Sequence, residues 1–88
     1  MNTFVFRGEA AELRWGYHPA AVVKDWTMTP QDASSVSVTA RVVSSDAYRV
    51  SQSPIVFTVP RETTVWRYPV ISLQIVGQTL TAVLGPPE

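Results

Sequence analysis

The sequence predicts an all-β domain, packed as a small antiparallel β-sandwich or a small barrel, and three observations carry that reading. First, Trp66 to Leu84 has the form of one β-hairpin. Ile71, Leu73 and Ile75 alternate with Ser72 and Gln74, Gly77-Gln78 offers glycine where a type II′ turn needs positive φ, and Thr79–Leu84 returns. Second, Ala11, Leu13, Trp15 and Tyr17 alternate with Glu12, Arg14 and Gly16, and Val36, Val38, Ala40 and Val42 alternate with Ser37, Thr39 and Arg41. Third, turn signals recur about every 8–12 residues, and no segment sustains a helical period.

Taken in order, Val5 lies between Phe4 and Phe6, and Arg7-Gly8-Glu9 breaks that run. The Ala11–Tyr17 strand follows and is expected to end at His18-Pro19, since the residue before proline prefers extended or turn geometry. Val22, Val23, Trp26 and Met28 suit a short strand, with a helical turn as the rival. Thr29-Pro30-Gln31-Asp32 reads as a turn or a single helical turn opened by a threonine cap, and Ser35–Val43 as a strand. Tyr48–Ser51 is a short strand or an ordered loop. Ile55, Phe57 and Val59 point inward from a strand bracketed by Pro54 and Pro60. Pro69 lies within the first arm of the final hairpin, so the Trp66–Tyr68 end should be an edge or a bulge. Phe4–Phe6 and Pro86-Pro87-Glu88 are candidate extended arms.

Residues 1–88 make a single domain, with no room for a second core. A chain this short buries roughly 60–65% of its unfolded surface, so added stability from a partner is expected. Cysteine is absent and His18 is the only histidine, so disulfides, zinc–thiolate sites and a structural metal are not expected, and no cofactor is predicted. Seven basic and seven acidic residues give zero formal net charge, which supplies no steering field for nucleic acid. Six of the seven basic residues are arginines, the residue type favoured at protein interfaces, although an arginine-rich source genome explains the bias equally well. The opening Met1-Asn2-Thr3-Phe4 lacks the basic and long apolar regions of a secretory leader, and no apolar run approaches a membrane span. Synthesis and folding in a cytoplasm, away from membranes, are therefore expected.

Catalysis finds little footing in the residues. His18 is the only plausible general base, and no nucleophile motif accompanies it. Glu9 and Glu12 fall on opposite strand faces, unlike the paired carboxylates of glycosidases. The glycines are too scattered for a phosphate loop. Arg14, Trp15, Tyr17, Trp66, Arg67 and Tyr68 interleave charge with aromatics as single-strand binders do, but Trp15 and Tyr17 share the Leu13 face and read more simply as core. Val70–Val76 is uncharged, β-prone and free of proline, an aggregation hazard unless covered by the protein's own sheet or by a subunit.

The order of these features resembles the small β-sandwich proteins of tailed bacteriophages, the immunoglobulin-like head decoration (cement) and baseplate-type adaptor proteins. The stretches that carry the resemblance are FVFRGEAAELRW, TPQDASSVSVTARVV, IVFTVPRETTVW and RYPVISLQIVGQTLTAVLG. It implies a non-enzymatic virion protein, present in many copies or as a homo-oligomer and bound to major capsid or tail subunits. A cement role is expected ahead of a tail, neck or baseplate role. The residues expected to bind the partner are Phe4, Phe6, Trp26 and Trp66 as apolar contacts, with Arg7, Arg61 and Arg67 at the rim. Two readings from other classes stand beside it: a carbohydrate-binding β-domain stacking sugars on Trp15, Trp26 or Trp66, and a small inhibitor of a host enzyme.

Overall fold

A computed structural model of the chain describes residues 6–53, 55–61 and 64–88. Its strands are β1 (Phe6–Trp15), β2 (His18–Pro30), β3 (Val36–Ser45), β4 (Val56–Arg61), β5 (Thr64–Val76) and β6 (Thr79–Leu84), with one helical turn, α1 (Ala47–Val50), between β3 and β4. All neighbours are antiparallel, and the sheet closes on itself in the order β1-β2-β3-β6-β5-β4. The chain thus forms two meanders, β1-β2-β3 and β4-β5-β6. They are clasped along β3–β6 by six residue pairs and along β1–β4 by three. Of the two packings expected, the barrel is found and the immunoglobulin-like sandwich is not.

Side-chain size explains the closure. A barrel of few strands has an interior just wide enough to be filled by side chains, so large residues must face small ones. Leu13 faces Ala21, Ala11 faces Val23, Val38 faces Ala82 and Ala40 faces Leu80. The space the alanines leave holds Trp26 and Phe57, which meet edge to face with ring centroids 6.3 Å apart. Ile55, Phe57 and Val59 are all buried, as the alternation predicted.

Three local readings are corrected in the first half of the chain. The chain turns back at Gly16-Tyr17, with Gly16 at φ 62°, so Tyr17 stands 95% exposed at a hairpin tip and is not core. His18-Pro19 opens β2 rather than ending a strand, and Pro19 fits because the β1–β2 register shifts between Leu13 and Arg14 beside it. In place of a short strand or helical turn, β2 runs for 13 residues. Its buried positions slip phase, from Ala21 and Val23 to Trp26 and Met28, through a bulge where Asp25 takes φ 53°. Aspartate tolerates the left-handed region better than most residues, and here Arg41 donates from both Nε and Nη2 to its Oδ2 at 3.2 Å.

The Trp66–Tyr68 end pairs in register with β4, and the bulge lies on the other side of Pro69. The β5–β6 register slips between Val70 and Ser72, which turns Ile71 outward to 64% exposure and leaves Val70, Leu73 and Ile75 against the core. Tyr48–Ser51 is neither strand nor loop alone. Asp46 caps α1 by accepting from the Tyr48 and Arg49 N–H groups, at 3.0 and 3.2 Å. The C-terminal segment is not an arm either: the Gly85 and Glu88 N–H groups donate to the carbonyls of Pro69 and Arg67, both at 2.8 Å, and lay it along β5.

Candidate partner-binding surface

Where β1 meets β4 the ladder covers only Glu12–Thr58, Leu13–Phe57 and Arg14–Val56. Beyond Glu12, Phe6–Ala11 pairs with β2 on one side and, among the described residues, has no ladder partner on the other. The two strands splay there, opening an outward groove of about 360 Å³. Ala10, Glu12, Arg14 and Val22 form one wall, and Thr58, Pro60, Val65 and Arg67 the other. Alternation accounts for the second wall. Phe57 and Val59 point into the barrel, so Thr58 and Pro60 point out, and their β5 partners Arg67 and Val65 share that face. Thr58 is buried at the floor, its hydroxyl donating to the Glu12 carbonyl at 3.1 Å.

The barrel mouth beside this groove carries aromatic side chains. Phe6 lies opposite buried Met28, and Trp66 opposite buried Val59, so both project from the inner face at the end where β1 begins and β4 ends. They are 47% and 43% exposed. Below them the Trp26 indole lies against Gly8.

The structure divides the predicted contact set. Phe6 and Trp66 form the mouth. Arg7 is exposed opposite Thr27, and Arg67 lines the groove. Arg61 ends β4 opposite Thr64, with its side chain outside the described residues, as is all of Phe4. Trp26 is corrected: at 2% exposure it is a core residue held over Phe57 and offers no contact surface. The same burial removes it as a sugar-stacking platform. Trp15 is half-buried against the core, its ring 6.0 Å from that of His18.

Charge at the site is paired and wet. Arg14 meets Glu12 and Arg67 meets Glu88, each at 3.3 Å and each pair well exposed. Exposed pairs are worth about 0–1 kcal/mol, so either arginine can exchange its carboxylate for one on a partner at little cost. Elsewhere Asp32 has its carboxyl held below its ordinary value, chiefly by the Ser34 N–H and then by the Ser35 side chain. Among the described residues no group of three or more histidine or acidic side chains is placed to hold a metal ion.

Sequence reasoning missed Gly8, Glu12 and Thr58. The lone glycine inside a strand was the available signal for Gly8, since such glycines mark close approach of another group. Nothing in the sequence marks Thr58 as the seam residue, because β4 pairs with a strand more than 40 residues away. No protein-family model, no curated protein and no solved structure matches the chain.

Proposed function

We propose that the protein is a non-enzymatic structural component of a tailed-phage particle that stabilises viral subunits by docking its barrel mouth on them, as a capsid cement protein in preference to a tail, neck or baseplate adaptor. The observation that carries the docking part is the pairing of Phe6 and Trp66 at one mouth, flanked by Arg7 and by Arg67 of the adjoining groove. Aromatic and arginine side chains dominate interface energetics when a partner closes over them. Each apolar Å² covered is worth about 25 cal/mol, and a symmetric shell repeats that gain at every copy. The station in the virion rests on the order of strands and turns described above.

Mass spectrometry of purified particles tests it, with copy number measured against the major capsid subunit. A ratio near one per capsid subunit supports cement, and a few copies per particle supports the tail or neck. Phe6→Ala and Trp66→Ala should each lower occupancy while leaving the isolated domain folded. Normal loading of both variants would remove the mouth as the contact, and absence of the protein from particles would remove the virion role.

A further inference from the structure

The second half of β5 has a bare edge. Through Pro69 the strand is paired with β4 on that side, and the Val70 N–H still donates to the Ile55 carbonyl at 2.9 Å. From Ile71 to Val76 the other side pairs with β6, but among the described residues no strand occupies the β4 side. An open groove of about 420 Å³ separates this edge from α1, with Leu73 and Ile75 facing Ala47 and Val50 across it.

Exposed edges are normally blunted by charge, proline or a cover. Apart from the bulge at Ile71, this edge carries neither charge nor proline of its own, and among the described residues α1 and Gln52–Ser53 stand across open grooves from it without pairing to it. No charged residue lies between Arg67 and Glu88, and no proline between Pro69 and Pro86. Ile71 and Val76 are 64% and 65% exposed.

The edge is also complementary to itself. Reading outward from Leu73, Ser72 matches Gln74, and with Ile71 set out of the ladder by its bulge, inward-facing Val70 comes level with inward-facing Ile75. Centring one residue later sets Val76 against Ser72. Antiparallel pairing about a two-fold axis at Leu73 therefore places Leu73 on Leu73 and Ser72 on Gln74 with matching faces, and leaves Ile71 of each copy in its bulge. We propose that two copies of this chain associate through the Ile71–Val76 edge in that register. The two barrels then share a continuous sheet across the axis, and Leu73 and Ile75 of each copy extend the apolar row of the other. This edge lies at the far end of β5 from Trp66, so the proposal is independent of the particle-binding surface.

Ser72 and Gln74 are both exposed, and in this register each faces the other across the axis. Ser72→Lys/Gln74→Lys sets lysine against lysine twice, whereas Ser72→Lys/Gln74→Glu sets lysine against glutamate twice. Sedimentation velocity over a concentration series should give a monomer–dimer equilibrium for the wild-type chain. Dissociation should be stronger by about tenfold or more for the first variant, and the dimer should persist in the second. Circular dichroism melts confirm that each variant folds. Hydrogen exchange on the wild-type chain gives a reading without any substitution: protection of Ile71–Val76 amides should rise with concentration. A wild-type chain that stays monomeric to its solubility limit overturns the proposal. So does an assembly larger than a dimer, a Lys/Lys variant that dimerises normally, or a Lys/Glu variant that dissociates like the Lys/Lys one.

Discussion

Gly8 and Trp26 compete for one volume. A Cβ built on Gly8 would fall 2.0 Å from Cζ2 of the indole and 2.5 Å from its Nε1. The ring cannot move aside, because it is buried and stacked edge-on to Phe57. Overpacking of a closed core costs about 1–3 kcal/mol, and Gly8→Ala belongs at the upper end. In a domain this size that lowers Tm by about 10–20 °C. Trp26→Phe removes the clashing atoms together with Nε1, a buried donor without a hydrogen-bond partner among the described residues. The double variant should therefore be more stable than the sum of the singles by about 1 kcal/mol or more, and additive melts would disprove the shared volume. At Asp32 the expectation concerns pH. Its folded carboxyl titrates below the ordinary 3.8, so its contribution is complete above that value and is lost as pH falls through the lower folded value. Carbon-13 NMR titration should place the midpoint below 3.8, and Ser34→Ala should leave most of the depression, because the donor that lowers it most is the Ser34 backbone N–H.

The strands that were legible are those whose alternation is uninterrupted. Val36–Val42 and Ile55–Val59 read correctly because each inner position is apolar and their own alternation is unbroken, the slip in the β2–β3 ladder being taken up by the bulge in β2. β2 was obscured by its bulge: the one-residue phase slip at Asp25 looks, in sequence, like the decay of a strand into a helical turn. Gly77-Gln78 was recognised as a turn, but the equivalent Gly16-Tyr17 was hidden by the nearby His18-Pro19, a stronger punctuation mark by composition. The β1–β4 seam was beyond reach for another reason. Its register depends on which strands become neighbours, and only three pairs and the Thr58 hydroxyl define it. That hydroxyl makes the seam testable. Thr58→Val keeps the shape and removes the donor to the Glu12 carbonyl, at an expected cost of about 1 kcal/mol. Hydrogen exchange should quicken first at Leu13 and Phe57, across the short ladder, while β3–β6 amides keep their protection. Uniform loss across the barrel would mean that the hydroxyl does not hold the seam.

At the scale of the whole molecule, closure of the barrel is an encounter between two meanders. Within each meander every pairing is a hairpin between sequence neighbours, and only β3–β6 and β1–β4 join distant segments. The two clasps span chain stretches of similar length, so their loop-closure entropies differ by only about 0.1 kcal/mol. The number of residue pairs therefore decides which forms first, and β3–β6 has six against three. The transition state should hold β3 against β6 while β1 and β4 are still apart. Val38→Ala, at a fully buried position of the longer clasp, should cost about 2 kcal/mol and act mainly by slowing folding, with φ above about 0.5. Leu13→Ala, equally buried at the shorter clasp, should cost about 3 kcal/mol and act mainly by speeding unfolding, with φ below about 0.3. Stopped-flow chevrons on the two variants check both values, and the reverse order of φ would show that the thin seam, not the long clasp, nucleates the barrel.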